Sequence, residues 1–118
     1  DLPRRDLQAA AKQAGRPWDA AKGFDRSAPL GPATPAADWS PNGQLIALTV
    51  NGDPRQSASL HDMVWNPAEI VAQASRLWRL APGDLIFTGT PEGVGPLKPR
   101  DTVRATVQGL SPVEFTLT

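Results

Sequence analysis

Residues 44–59 read QLIALTVNGDPRQSAS, and this stretch carries the strongest indication of the fold. Ile46, Leu48 and Val50 alternate with other residues, which is the period-two pattern of a strand with one buried face. Asn51 and Gly52 follow directly, and this dipeptide favours the tight turn of a β-hairpin. We therefore predict a strand over residues 44–50 and a return arm over residues 54–59.

A helix is predicted on the C-terminal side of this hairpin. Asn66 suits the N-cap, Pro67 the first helical position and Glu69 the partner position of a capping box. The helix carries one apolar stripe at helical spacing, and we expect the stripe to pack inward. The stripe consists of Ile70, Val71, Ala74, Leu77 and Trp78.

The remaining elements complete an α+β pattern. Short strands are predicted at residues 85–88, 102–107 and 113–117, and a helix at residues 3–14 with Pro3 at its first position. Residues 19–43 are predicted as a loop, since several prolines interrupt them. The order of elements favours a mostly antiparallel sheet or roll with two or so helices.

Composition limits the possible partners. The chain has 118 residues with 12 basic and 12 acidic side chains and no block of charge, so nothing indicates binding to nucleic acid or to an anionic membrane. It has no cysteine, which excludes disulfides and thiolate metal sites. These features are compatible with a cytoplasmic protein of one domain at most. The four tryptophans are expected in the core, and His61, the single histidine, in a structural role. The opening residues lack an initiator Met, which favours a chain that is part of a longer polypeptide.

The first stretch with potential chemistry is DLPRRDLQ at residues 1–8. On a helix, Asp1, Arg5 and Gln8 lie on one face, where they could hold a hard cation together with an oxyanionic ligand. A solvated face of charged side chains fits the same spacing.

Two loops offer further polar groups. Lys22 lies near Phe24 in a predicted loop, where a half-buried lysine could bind a carboxylate or polarise a keto group, although an ordinary surface lysine fits as well. Residues 82–96, PGDLIFTGTPEGVGP, place Thr88 and Thr90 in a glycine-rich loop. Its exposed amides could bind a carboxylate. A tight turn without function is the alternative.

Four stretches, in this order, resemble the motifs of the fumarylacetoacetate hydrolase family. They are residues 1–8, residues 15–32 (GRPWDAAKGFDRSAPLGP), residues 51–63 (NGDPRQSASLHDM) and residues 82–96. The resemblance implies the carboxy-terminal portion of the family's β-sandwich roll, with residues 1–118 as a single incomplete catalytic domain. The first two motifs are most similar to the bacterial acylpyruvase or fumarylpyruvate hydrolase branch.

The resemblance also implies roles for individual residues. Asp1 would be a metal ligand, Arg5 and Gln8 would contact substrate, Lys22 would be the catalytic lysine near the metal, and Thr90 would hold the substrate carboxylate. All five would converge. The implied metal is Mg²⁺ or Mn²⁺, with Ca²⁺ as a further candidate. Its other ligands, a Glu-x-Glu pair, and a catalytic His-Glu pair on a lid would lie upstream of this chain.

The implied activity is metal-dependent hydrolysis of a carbon–carbon bond in acylpyruvate-type 1,3-diketo acids such as fumarylpyruvate. The substrate would be a small keto acid from aromatic or keto-acid catabolism, and the enzyme a homodimer that binds neither nucleic acid nor membrane. An oxaloacetate-type decarboxylase, a 5-carboxymethyl-2-hydroxymuconate-type isomerase and a catalytically dead fragment remain alternatives. Arg100 departs from the family pattern, which commonly has glycine before Asp101.

Overall fold

The computed structural model describes residues 1–118. They form two compact units, Asp1–Gly31 and Pro32–Thr118. The first unit contains two helices, α1 (Arg5–Gln13) and α2 (Asp19–Lys22). The second contains strands β1 (Leu45–Val50) and β2 (Asp53–Ser59), a 3₁₀ turn (Leu60–Asp62), helix α3 (Pro67–Leu77), and strands β3 (Thr102–Val107) and β4 (Val113–Thr116). None of these helices is long and apolar enough to cross a membrane.

The strands form one antiparallel sheet in the order β2-β1-β3-β4, which confirms the α+β prediction. Val50 on β1 lies opposite Val103 on β3, and both are buried. Asn51 and Gly52 both have positive φ, as the predicted hairpin turn requires. The alternating pattern of residues 44–50 therefore correctly predicted β1, one of the two inner strands of the sheet.

Asn51 also ties this hairpin to the start of β3. Its side-chain amide donates to Asp101 Oδ1 at 2.8 Å, and its Oδ1 accepts from the amide of Thr102 at 2.9 Å. Arg100, immediately before, has φ of 73°. That left-handed conformation costs little for glycine and more for other residues, so Arg100 is strained where the resemblance leads us to expect glycine.

The N-terminal helix begins later than predicted. Residues 3–14 were expected to be helical, but α1 starts at Arg5 and Pro3 lies before it. The amide of Leu2 donates to Ser27 O at 2.7 Å and that of Arg4 to Ala21 O at 2.9 Å. These bonds to distant backbone hold residues 2–4 outside the helix. Gly15, with φ of 62°, ends the segment as predicted.

Helix α3 confirms the predicted cap but not the predicted burial. Asn66 and Glu69 form the full capping box, and Pro67 is the first helical residue. Ile70 and Ala74 are half-buried. The rest of the stripe is exposed: Val71 by 47%, Leu77 by 72% and Trp78 by 65%. The prediction that the whole stripe packs inward is wrong, because no element of the described chain covers that part of the helix.

Two further predictions from hydrophobicity are wrong. Residues 85–88 form no strand, since none of the four strands pairs with them, and Leu85, Ile86 and Phe87 are exposed. The tryptophans are not core residues either: Trp18, Trp65 and Trp78 are exposed. The fourth, Trp39, is half-buried and donates from its indole nitrogen to Gln108 O at 3.0 Å. Apart from Trp39, these apolar residues were predicted to be buried, but in the structure they lie at the surface.

Candidate functional site

In the first unit, Asp1 and Lys22 form an ion pair although they lie 21 positions apart. Backbone hydrogen bonds from Leu2 to Ser27 and from Arg4 to Ala21 hold the opening residues alongside α2. Ala21 is 1% exposed, so this contact is firmly packed. Lys22 is the last residue of α2 rather than a loop residue as predicted, and its Nζ donates to Asp1 Oδ2.

The two adjacent arginines of the first motif have different surroundings. The Arg4 guanidinium lies over the ring of Phe24, 4.4 Å from its centroid, in a cation–π contact that holds the turn after α2. Arg5 is exposed and makes no side-chain hydrogen bond, so its donors are available to a ligand. Arg4 thus has a packing contact that Arg5 lacks.

Arg5 and Gln8 lie on the same side of α1, three residues apart. Asp1 precedes the helix, so the prediction that all three share a helical face is wrong for Asp1. The ion pair with Lys22, rather than helical spacing, fixes its position.

Where the α-amino group of Asp1 is free, it loses its proton more readily than an ordinary α-amine. Burial, and secondarily the charge of Lys22, lowers the pKa of that amine below its ordinary value of 8.0. In a chain that begins at Asp1, more of the amine is therefore neutral at pH 7.

In the second unit, the glycine-rich loop is bound to β2 through Gln56. The side-chain nitrogen of Gln56 lies 2.8 Å from Thr90 Oγ1, 2.7 Å from Pro91 O and 3.3 Å from Glu92 O. Gln56 belongs to the third motif, but sequence reasoning did not identify its contact with Thr90. The two residues lie 34 positions apart, so the contact is visible only in the structure.

Gly93 lets the same loop approach β2 closely. Its φ is 96°, and a Cβ at this position would lie 2.0 Å from Arg55 O and 3.3 Å from Gln56 Cγ. Any side chain here would move the loop away from the strand. The glycine therefore serves close packing of the loop, beside the hydrogen bonds of Gln56.

A cavity of about 600 Å³ lies beside this loop within the second unit. Most of its lining is apolar, including Ile46, Trp65 and Phe87. Its polar lining residues are Ser59, Asp62, Thr88 and Thr90. His61 is not among the lining residues; its ring lies close against Gly43. The second unit thus offers an apolar cleft with a hydroxyl-bearing edge.

The candidate residues fall into two sets. Asp1, Arg5, Gln8 and Lys22 belong to the first unit, and Thr90 belongs to the second. Their convergence stays a prediction. No group of three or more His, Cys, Asp or Glu side chains in the chain could hold a metal ion. Asp1 could therefore be only one ligand among several.

Comparisons with known proteins identify the family of the chain. The profile of the family described as fumarylacetoacetate (FAA) hydrolase, C-terminal, matches residues 1–118. A fumarylpyruvate hydrolase of a Ralstonia species is 39% identical over 117 residues, which are 99% of this chain and 61% of that protein. An oxaloacetate tautomerase of Escherichia coli is 42% identical over 113 residues, 94% of this chain and 52% of that protein.

A solved structure gives the same relationship in three dimensions. The crystal structure of fumarylpyruvate hydrolase from Pseudomonas aeruginosa, in complex with Mn²⁺ and pyruvate, superposes with a TM-score of 0.94 at 41% identity. The superposition covers 98% of this chain and 50% of the Pseudomonas aeruginosa chain. The chain therefore spans half to about three-fifths of the length of these three proteins. The chain belongs to the fumarylacetoacetate hydrolase family, in which it matches the C-terminal model.

Proposed function

We propose that the protein containing this chain is a metal-dependent hydrolase that cleaves a carbon–carbon bond in acylpyruvate-type 1,3-diketo acids such as fumarylpyruvate. The supporting observation is the likeness to the fumarylpyruvate hydrolase that holds Mn²⁺ and pyruvate. Pyruvate is the fragment that hydrolysis of any acylpyruvate releases. The pairing of Asp1 with Lys22 and the anchoring of Thr90 are the features of this chain that fit such a ligand.

Asp1 fits a divalent metal ion such as Mg²⁺ or Mn²⁺. A carboxylate is the oxygen ligand that these hard cations prefer, and the ion pair with Lys22 uses Oδ2, which leaves Oδ1 for the cation. When bound, the metal would act as a Lewis acid that polarises the keto acid. The upstream Glu-x-Glu pair that the resemblance implies would supply further ligands.

The other residues bind and orient the substrate in this proposal. Lys22 and Arg5 place fixed positive charge where negative charge develops on the keto acid. Gln8 donates from its amide to the substrate, and the Thr90 hydroxyl donates to its carboxylate. The catalytic His-Glu pair is expected on the upstream lid, so the general base is not assigned within this chain. Action as a homodimer in aromatic or keto-acid catabolism is a further proposal from the resemblance, and sedimentation velocity tests the dimer.

The test is turnover by the full natural polypeptide with Mn²⁺ or Mg²⁺, with pyruvate release measured by a coupled assay. We expect release from fumarylpyruvate, and we expect Thr90→Val to raise the KM about 10- to 100-fold, the loss typical of a hydrogen bond to a charged group. Thr106→Val, on β3, is the matched control. Oxaloacetate is assayed in parallel, because one relative is an oxaloacetate tautomerase. Tautomerisation of oxaloacetate without any pyruvate release from fumarylpyruvate would overturn the proposal.

A further inference from the structure

The Gln56 amide has a fixed orientation, and this orientation determines what the Thr90 hydroxyl can do. Gln56 faces the carbonyl oxygens of Pro91 and Glu92 at 2.7 Å and 3.3 Å. Carbonyl oxygens only accept hydrogen bonds, so the NH₂ group and not the amide oxygen must point toward the loop. The amide therefore donates to Thr90 Oγ1 as well, at 2.8 Å.

A hydroxyl that accepts a hydrogen bond keeps its own proton for another partner. The Thr90 hydroxyl has one donor and two acceptor positions, and the Gln56 amide occupies one acceptor. Thr90 makes no other side-chain hydrogen bond in the structure and is exposed. Its proton is consequently available to an anionic acceptor, and a charge-assisted bond of this kind is the stronger class.

Two independent contacts hold the loop in this arrangement. The hydrogen bonds of Gln56 are one, and the close approach of Gly93 to the backbone of Arg55 is the other. Because Arg55 and Gln56 are neighbours on β2, both contacts attach the loop to a strand of the sheet. Residues on a regular element are positioned more accurately than residues held by a loop alone.

We propose that Gln56 is a positioning residue that presents Thr90 as a hydrogen-bond donor to the carboxylate end of the substrate. The inference rests on the proposed role of Thr90. Gln56 itself need not touch the substrate. Its removal would free Thr90 to turn its hydroxyl and would release the loop carbonyls, so the carboxylate would lose a fixed donor.

A double-mutant cycle tests this in the full natural polypeptide. The variants are Gln56→Leu, Thr90→Val and both together, with Gln73→Leu on α3 as the matched control. The readouts are KM and kcat for the acylpyruvate, and the Kd of pyruvate in the Mn²⁺-loaded protein, which requires no turnover. Thermal unfolding of each variant shows whether it is folded.

We expect Gln56→Leu to raise the KM and the pyruvate Kd about 10-fold with a smaller change in kcat, and the double variant to be no weaker than Thr90→Val. Thr90→Ser should keep near-normal binding only when Gln56 is present. Effects that multiply in the double variant, or an unchanged Kd in Gln56→Leu, would overturn the inference. If the wild type does not hydrolyse acylpyruvates, the proposed function is wrong. The inference about Gln56 is still tested in that case, because the double-mutant cycle can be measured from the pyruvate Kd alone.

Discussion

At the scale of single residues, the ion pair places the Asp1 carboxylate and the Lys22 ammonium together, next to the proposed metal ion and substrate. The carboxylate would bind the metal, whereas the ammonium would act on the substrate and repel the metal. Lys22→Met should therefore lower kcat/KM about 100-fold, the cost typical of removing one group that stabilises a developing charge. Mn²⁺ affinity, measured by calorimetry, should stay the same or rise.

Lys12→Met, in the last turn of α1, is the control, because it removes an exposed lysine without changing the pair. If Mn²⁺ binding disappears together with activity in Lys22→Met, Lys22 positions Asp1 and does not act on the substrate.

Helical spacing was a correct guide to position for only two of the three residues singled out in the first motif. The first motif pointed to Asp1, Arg5 and Gln8, and Arg5 and Gln8 do share one side of α1. Helical spacing was nevertheless the wrong reason for Asp1, because backbone bonds to Ala21 and Ser27 keep the opening residues outside the helix. Gln56 was missed for the same cause: its role depends on a contact that no local pattern encodes.

At the scale of the elements, Asp101 joins the β1–β2 hairpin to the start of β3. The amide of Lys98, and secondarily the side chain of Asn51, hold the pKa of this carboxyl below its ordinary value of 3.8. A lowered folded-state pKa means that the ionised group stabilises the fold at pH values above its unfolded pKa. That contribution is lost as the pH falls through the lower, folded-state pKa.

Asp101→Asn should therefore lower the urea midpoint at pH 7, and the difference from wild type should shrink as the pH falls below about 4. Urea unfolding between pH 7 and pH 2 measures it. Asp53→Asn, an exposed aspartate on β2 that makes no side-chain hydrogen bond, is the control. A difference that stays constant over the whole range would mean that the charge of Asp101 contributes nothing.

Elements defined by local chemistry were predicted well, and those that depend on distant partners were not. The Asn51-Gly52 turn and the capping box of α3 involve side chains within a few positions, so sequence specifies them. Residues 85–88 have the composition of a strand, yet a strand needs a neighbour to pair with, and the sheet provides none. The helical stripe likewise identified an apolar face without identifying what covers it.

At the scale of the whole molecule, large apolar residues of the second unit are exposed, and the first unit offers Asp1 as a single candidate metal ligand. The chain spans half to about three-fifths of the relatives with which it was compared. Its buried apolar residues are only Ala21, Val50 and Val103, whereas Val64, Leu77 and Leu85 are largely exposed. We propose that the metal site and the apolar surfaces of these 118 residues are incomplete, and that other residues of the protein complete them.

Metal binding measures this incompleteness directly. One carboxylate leaves an octahedral cation mostly to water, and the Asp1 carboxylate is already paired with Lys22. We expect the 118-residue chain to bind Mn²⁺ much more weakly than the full natural polypeptide, in which further carboxylates would complete the site. Calorimetric titration of both forms, followed by Asp1→Asn in the longer one, measures the difference. Asp6→Asn is the control, since Asp6 lies in the first turn of α1 and takes no part in the ion pair. Micromolar binding to the short chain would show that carboxylates outside it are not needed, and full binding by Asp1→Asn would show that Asp1 is not a ligand.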